Sequence, residues 1–128
     1  MNVRKSTPIF VVEAITPAAL AFWEKTGWKK EIEVPHGDGV GFVVLQNEAR
    51  EVMLQSRASV KADLAIGDLE PTCALYVDVE SLEEARAACK AAGARILIDE
   101  RKTFYGAHEM WVVDPAGILV GYAQLETA

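Results

Sequence analysis

Apolar residues along the chain fall into short runs typical of strands, interrupted by two segments with helical spacing. Residues 7–15 (TPIFVVEAI) are rich in β-branched and aromatic side chains, which predicts a strand. A helix is predicted at AALAFWEKT, because Thr16 is a good N-cap, Pro17 fits the first helical position and Gly27 is suited to ending the helix. Three further strands are predicted at KKEIEV, GFVVLQ and EVMLQSR, separated by the turn-rich PHGDG and NEAR.

The second half of the chain repeats this order. Residues 72–79 (TCALYVDV) predict a strand, and Ser81 with Glu84 forms a capping box. The next helix ends at Gly93, and its apolar face consists of Leu82, Ala85, Cys89 and Ala92. Strands follow at ARILI, HEMWVV and ILVGYAQL, with the turn DPAG between the last two.

The repeated order predicts one α+β domain over 1–128, made of units at about 5–57 and 72–126. Residues 58–71 show no clear period, so we interpret them as the connection. Each β-α-β-β-β unit alone would expose an apolar sheet face, and pairing the two buries it. We therefore expect a curved mixed sheet around a cup, with helices on the outer face. Whether the units pair within one chain or swap between chains is left open.

The final hairpin is apolar on both faces. With a simple register across DPAG, one face holds Trp111, Val120 and Tyr122, and the other holds Met110, Val112 and Leu119. Helices cover one side of such a sheet, so the opposite side must line a core or a concave pocket.

Composition and charge exclude several classes of protein. The net charge of -6 and the lack of a basic cluster argue against a nucleic-acid partner. No apolar run reaches the roughly 20 residues that a membrane helix needs, and no signal-peptide pattern is present, so we expect a cytoplasmic protein. The two cysteines, Cys73 and Cys89, lack metal-site spacing, and we expect both to be reduced and buried.

Three segments resemble the vicinal oxygen chelate superfamily, which includes glyoxalase I, extradiol dioxygenases and bleomycin resistance proteins. They are VVEAITPAALAFWEKTGW, CALYVDVESLEEARAACKAAGA and YGAHEMWVVDPAGILVGYAQ. The first half is similar to a bacterial group described as glyoxalase or bleomycin-resistance related. This resemblance implies a curved two-unit sheet and frequent homodimers.

Metal-dependent members of this superfamily hold a divalent ion with His and Glu from four strands. The resemblance places those positions at Thr7 or Pro8, Met53, Thr72 and Gly121. None is a competent ligand beyond a weak Thr hydroxyl, so we expect no metal and no cofactor.

Other residues offer alternatives for chemistry. His36 lies in a glycine-rich turn, and His108 beside Glu109 is a possible acid–base pair. No activating group is evident in the sequence for Cys73, and Cys89 lies on the apolar face of its helix.

Binding is therefore the leading hypothesis. We predict that a metal-free protein of the bleomycin-resistance type holds a small aromatic or cationic molecule in the cup and forms a homodimer. Candidate ligand-binding residues are Phe10, Met53, Gln55, Tyr76, Phe104, Tyr105 and Trp111. The alternatives are a lyase or dioxygenase with displaced metal ligands or an acid–base residue, and a structural module whose cup its own side chains fill.

Overall fold

The computed structural model describes residues 1–126, so the last two residues of the predicted domain lie outside the described part. Strands and helices follow the predicted order, with one additional helix between the two halves. Their bounds are β1 (Val3–Val12), α1 (Pro17–Lys25), β2 (Lys29–His36), β3 (Gly39–Asn47), β4 (Arg50–Ser56), α2 (Arg57–Asp63), β5 (Cys73–Val79), α3 (Leu82–Ala91), β6 (Arg95–Lys102), β7 (Ala107–Val113) and β8 (Leu119–Leu125).

The described chain divides into two units. The first unit is Pro8–Gly67, and the second consists of residues 1–7 with the chain from Asp68 onward. Neighbouring strands run in the order β2-β3-β4-β1 in the first unit and β5-β8-β7-β6 in the second. Strand β1 is parallel to β4 and β5 to β8, whereas the other pairs are antiparallel. The α+β class and the repeated β-α-β-β-β unit are confirmed.

Helix α1 covers one face of the first unit. The Thr16 hydroxyl accepts a hydrogen bond from the Ala19 amide at 3.1 Å, and Pro17 follows as predicted. The chain leaves the helix through Gly27 at a φ of 107°, a conformation that favours glycine. The helix packs on the buried residues Val43, Leu45 and Leu54, with Trp23 and Trp28 in edge-to-face contact at 5.7 Å.

Helix α3 covers the corresponding face of the second unit. The Ser81 hydroxyl caps it by accepting from the Glu84 amide at 3.2 Å. Its apolar residues Leu82 and Cys89 pack on Met110 and Val112 of β7. Both cysteines are free, with Cys89 buried and Cys73 half buried.

The short helix α2 occupies the beginning of the segment 58–71 that is interpreted from the sequence as a connection. Ser56 caps it by accepting from the Ser59 amide at 3.2 Å, and Val60 is almost fully buried at 1% exposure. Seven residues are too few to display a helical period, which explains why the sequence pattern gave no sign of it.

The predicted register of the last hairpin is wrong. Val113 pairs with Leu119, so the connection holds five residues, 114–118. The Asp114 carboxylate sets this wider turn by accepting from the amides of Ala116 and Ile118 at 2.9 and 2.8 Å. The α3 face of the hairpin therefore carries Met110, Val112, Val120 and Tyr122, and the opposite face carries Trp111, Leu119 and Gly121.

None of the helices in residues 1–126 is long and apolar enough to span a membrane.

Candidate functional site

Four positions of this chain correspond, by the resemblance described above, to the metal ligands of metal-dependent enzymes, and their side chains are poor metal ligands. Thr7 is buried, Met53 is half buried and Thr72 is exposed. Within residues 1–126, no group of three or more His, Cys, Asp or Glu side chains lies close enough to hold a metal ion. A thioether and two hydroxyls do not form the imidazole and carboxylate set that such an ion requires, so these residues do not fit it.

Trp111 occupies the space above the fourth position, Gly121. The two residues are direct partners across β7 and β8. A Cβ atom added to Gly121 would lie 2.5 Å from Cζ2 and 2.6 Å from Cε2 of the indole. Any side chain at position 121 therefore requires the indole to move, and the absence of a metal ligand there is coupled to the position of Trp111.

Glu109 is the centre of a hydrogen-bonded cluster on the same face of the second unit. The residue has no solvent exposure. Its Oε1 accepts from Trp111 Nε1 at 2.9 Å and from Arg101 Nε and Nη2 at 3.0 Å each. Its Oε2 accepts from the hydroxyls of Tyr76 and Tyr105. We call Tyr76, Arg101, Tyr105, Glu109 and Trp111 the Glu109 cluster.

The cluster satisfies a carboxylate that would otherwise be costly to bury. An ionised group loses its hydration in the interior and requires a paired charge and full hydrogen bonding in compensation. Arg101 supplies the charge, and its side chain is 25% exposed, whereas Glu109 is 0% exposed. The aromatic donors occupy the remaining acceptor positions of the carboxylate, which holds three large side chains in fixed orientations.

A β-bulge brings Arg101 to this place. Ile98 pairs with Trp111 and Arg101 with Glu109, so β6 advances by three residues between these pairs whereas β7 advances by two. Without the extra residue, Glu100 rather than Arg101 would stand opposite Glu109. The bulge thus replaces a repulsive pair of carboxylates with an ion pair.

The hydroxyls of the cluster are donors and not bases. The pKa of Tyr76 lies well above its ordinary value, because the hydroxyl is desolvated and hydrogen-bonded to Glu109. Burial and the same carboxylate raise the pKa of Tyr105 to about 12. The two hydroxyl oxygens are 3.3 Å apart, and each directs its proton to Glu109. At neutral pH both phenols are therefore protonated.

Tyr105 enters the cluster from the turn between β6 and β7. Thr103 and Ala107 close this turn with hydrogen bonds of 2.8 and 3.0 Å, and Gly106 adopts a φ of 82°. The neighbouring Phe104 ring is 92% exposed and contacts the Tyr105 ring edge-to-face at 5.1 Å. An exposed apolar ring thus stands next to a side chain that the cluster immobilises.

The other predicted binding residues lie in the first unit. Met53 and Gln55 share one face of β4, as predicted, and Gln55 Nε2 donates to Ser59 Oγ at 3.0 Å. Phe10 is paired with Leu54 and lies on the opposite face, the one that α1 covers. The structure therefore brings Tyr76, Tyr105 and Trp111 together, with Phe104 beside them, and separates Phe10 from Met53 and Gln55.

His108 and Glu109 do not form the acid–base pair considered above. Adjacent strand residues point to opposite faces, and His108 instead contacts Glu126, with Nε2 3.3 Å from Oε1. Sequence reasoning considered Glu109 in that pair or as an acid–base residue by itself, and it missed Arg101 entirely. The alternation of Glu109 and Trp111 on β7 was a usable signal, but the bulge that selects Arg101 was not visible.

Comparison with known proteins places the chain in a broad family. Residues 11–122 match the family described as "Glyoxalase/Bleomycin resistance protein/Dioxygenase superfamily". No curated protein matches the chain at a significant level.

Solved structures share the fold at low sequence identity. A glyoxalase/bleomycin resistance protein/dioxygenase superfamily member from Vibrio splendidus 12B01 is 19% identical, with a TM-score of 0.69 over 96% of this chain and 99% of that one. A protein from Staphylococcus aureus is 16% identical, with a TM-score of 0.66 over 98% and 100%. Methylmalonyl-CoA epimerase from Mycobacterium tuberculosis is 14% identical, with a TM-score of 0.68 over 94% and 87%. At these identities the likeness shows the fold alone.

Replacing Arg101 should destabilise the protein strongly. Arg101→Met leaves the buried Glu109 carboxylate without its charge partner, and we expect a loss of about 3 kcal/mol in the free energy of unfolding. Arg50→Met is the matched control, because Arg50 pairs with an exposed glutamate and should change stability by less than about 0.5 kcal/mol. Urea denaturation measures both, and equal effects of the two substitutions would contradict the role given to Arg101.

Gly121 should tolerate a methyl group only if Trp111 is made smaller. Gly121→Ala forces the indole to move, and we expect about 2 kcal/mol of destabilisation. The same change in a Trp111→Leu background should cost much less, which a double-mutant cycle detects. Gly39→Ala is the control, because nothing lies within 4 Å of the added Cβ. Additive effects would show that the two positions are not coupled.

The tyrosines should resist ionisation in alkaline solution. All three have raised pKa values, that of Tyr122 through burial and then Cys89. In denaturant about half of the phenols ionise at pH 10, whereas the folded protein should show less phenolate absorbance at that pH. Since the folded pKa of Tyr105 is about 12, its stabilising effect is complete below pH 10 and is lost between pH 10 and about 12.

Tyr105→Phe provides the control for this titration. It should leave the folded signal at pH 10 unchanged and remove one third of the denatured signal, because one of three tyrosines is lost. A folded-state transition near pH 10 with the amplitude of one tyrosine, absent from this variant, would contradict the interpretation.

Proposed function

Because the chain belongs to the glyoxalase/bleomycin resistance protein/dioxygenase superfamily, we propose that it is a metal-free member that binds and sequesters a small molecule. The ligand contacts the face of the second unit that carries the Glu109 cluster, together with the Phe104 ring beside it. Its chemical class is aromatic or cationic, as in bleomycin-resistance-type proteins.

The observation that carries this proposal is the convergence of four side chains on one fully buried carboxylate. Three of them, Tyr76, Tyr105 and Trp111, are aromatic and are held in place by hydrogen bonds to Glu109. Trp111 is only 4% exposed, so the ligand would contact the two tyrosine rings rather than the indole. Fixed aromatic side chains lose little entropy on binding, so they favour the tight recognition of planar ligands. The exposed Phe104 ring offers additional apolar surface that a ligand would cover.

The chemistry of the same residues favours binding over catalysis. The phenols are protonated donors with raised pKa values, and the acceptor positions of Glu109 are occupied. A general base needs a free lone pair within reach of its substrate, which this arrangement does not offer. Gly121 and Met53 also supply neither imidazole nor carboxylate to a metal ion.

Removal of the Phe104 ring should weaken binding selectively. In a panel of aromatic and cationic compounds screened by tryptophan fluorescence, we expect ligands whose dissociation constants rise about tenfold in Phe104→Ala, as measured by calorimetry. Phe22→Ala is the matched control, because Phe22 is also an exposed phenylalanine, at 61%, but belongs to α1. It should leave affinity unchanged.

Two results would overturn the proposal. One is the absence of binding across the panel, which would favour a structural module filled by its own side chains. The other is a stoichiometric divalent ion found by elemental analysis of the purified protein. That result would make a lyase or dioxygenase with displaced ligands the better interpretation.

We also expect the protein to be a homodimer, as members of this superfamily often are. The edge strands of the two units are not suited to forming this dimer by pairing with each other across the interface. Strands β2 and β6 lie at the outer edge of their units, and both contain bulges and several charged residues, which oppose edge pairing. Light scattering at micromolar concentration should give twice the chain mass, and Ile32→Glu on β2 should not change it. A monomeric mass would contradict the expectation.

A further inference from the structure

Asp78 has no counterpart in the first unit. Met53 on β4 and Gly121 on β8 are equivalent positions of the two units. Two residues further along these strands, Gln55 pairs with Val11 and Ala123 pairs with Asp78, so Val11 and Asp78 are equivalent as well. The first unit thus has a valine, 7% exposed, where the second has an aspartate. A fold that accepts valine at one copy of this position does not require a carboxylate at the other.

The environment of Asp78 differs from that of Glu109, although both lie beside Ala123. Asp78 pairs with Ala123 from β5, and Glu109 pairs with it from β7, so the two side chains share one face. Glu109 is compensated by Arg101. In contrast, within residues 1–126 the buried Oδ1 atom of Asp78 has no hydrogen-bond partner. Ala123 contributes only a methyl group to the surface between them.

An unsatisfied buried carboxylate oxygen reduces stability, and native proteins retain few of them. A residue that costs stability and is dispensable for the fold is typical of a functional site. A cationic nitrogen complements such an oxygen best, because charge-assisted hydrogen bonds are the strongest available to it. The Tyr76 ring lies two residues away on the same face and adds a surface that attracts cations.

We propose that Asp78 binds a cationic nitrogen of the ligand, so that the chemical class recognised is an organic ammonium or amidinium compound carrying an aromatic group. This inference rests on the proposed function and deepens it. The aromatic part of the ligand contacts the Glu109 cluster and Phe104, and the cationic part contacts Asp78.

Stability of the unliganded protein provides the first test. Asp78→Val installs the residue of the first unit and should raise the melting temperature by about 3 °C, since it removes an unsatisfied polar group. Asp68→Val at an exposed position is the control and should change the melting temperature by less than about 1 °C. A fall of several degrees in Asp78→Val would assign Asp78 a structural role and overturn the inference.

Charge discrimination provides the second test. Benzylammonium and benzyl alcohol are similar in size and differ in charge, and their dissociation constants are measured by nuclear magnetic resonance titration. We expect the wild-type protein to bind benzylammonium about tenfold more tightly. Asp78→Asn, which keeps the shape of the side chain, should bring the two constants within about twofold. Asp68→Asn should preserve the difference.

The outcomes separate this inference from the proposed function. Equal affinity of the wild-type protein for the two probes, or an unchanged preference in Asp78→Asn, overturns the role of Asp78 alone. The same holds if benzylammonium does not bind while neutral aromatic compounds of the panel do. If neither probe nor any compound of the panel binds, both proposals fall.

Discussion

A carboxylate without access to water must find its hydrogen bonds and its counter-charge inside the protein. Glu109 meets this requirement through Arg101, Trp111 and two tyrosines. Much of the second unit follows from it: the bulge in β6, the inward orientation of the Tyr105 hydroxyl, and the position of the indole over Gly121. Arg101 is therefore a positioning residue, because it acts on the aromatic side chains through the carboxylate.

The two repeats have diverged in chemistry more than in backbone. The face of the first unit that carries Met53 includes the apolar residues Ile9, Val11 and Val44 and the polar residues Glu51 and Gln55, of which Gln55 donates a hydrogen bond to Ser59. The corresponding face of the second unit carries ionised, phenolic and indole groups. Since both units keep the same strand order, the ionic and aromatic cluster of the second unit is not a requirement of that strand order.

Local signals in the sequence predicted the fold well. The capping residues Thr16 and Ser81 and the glycines after each helix act within a few residues, so a pattern of letters is enough to locate them. The register of the last hairpin was not predictable in this way, because the Asp114 carboxylate adds a residue to the turn. One residue of shift exchanges the two faces of a strand.

The candidate site was predictable only in part, because it too depends on strand register, which local sequence patterns do not reveal. Tyr76, Tyr105 and Trp111 were among the seven candidate ligand-binding residues, and the structure places them together. Their common partner Glu109 was not, because it depends on pairing between residues far apart in sequence. Phe10 does not share a face with the candidates Met53 and Gln55, because the parallel register of β1 and β4 puts Phe10 beside Leu54. Alternation along one strand cannot reveal the register between two.

The close approach of the indole to Gly121 also restricts how the protein can change over generations. A histidine or glutamate at position 121 would require the large ring at position 111 to move or to be replaced, since the added side chain would otherwise overlap the indole. Losing that ring removes one donor from the buried carboxylate, so that replacement is itself disfavoured. A larger side chain at position 121 is thus accommodated without strain only when a second substitution at position 111 accompanies it.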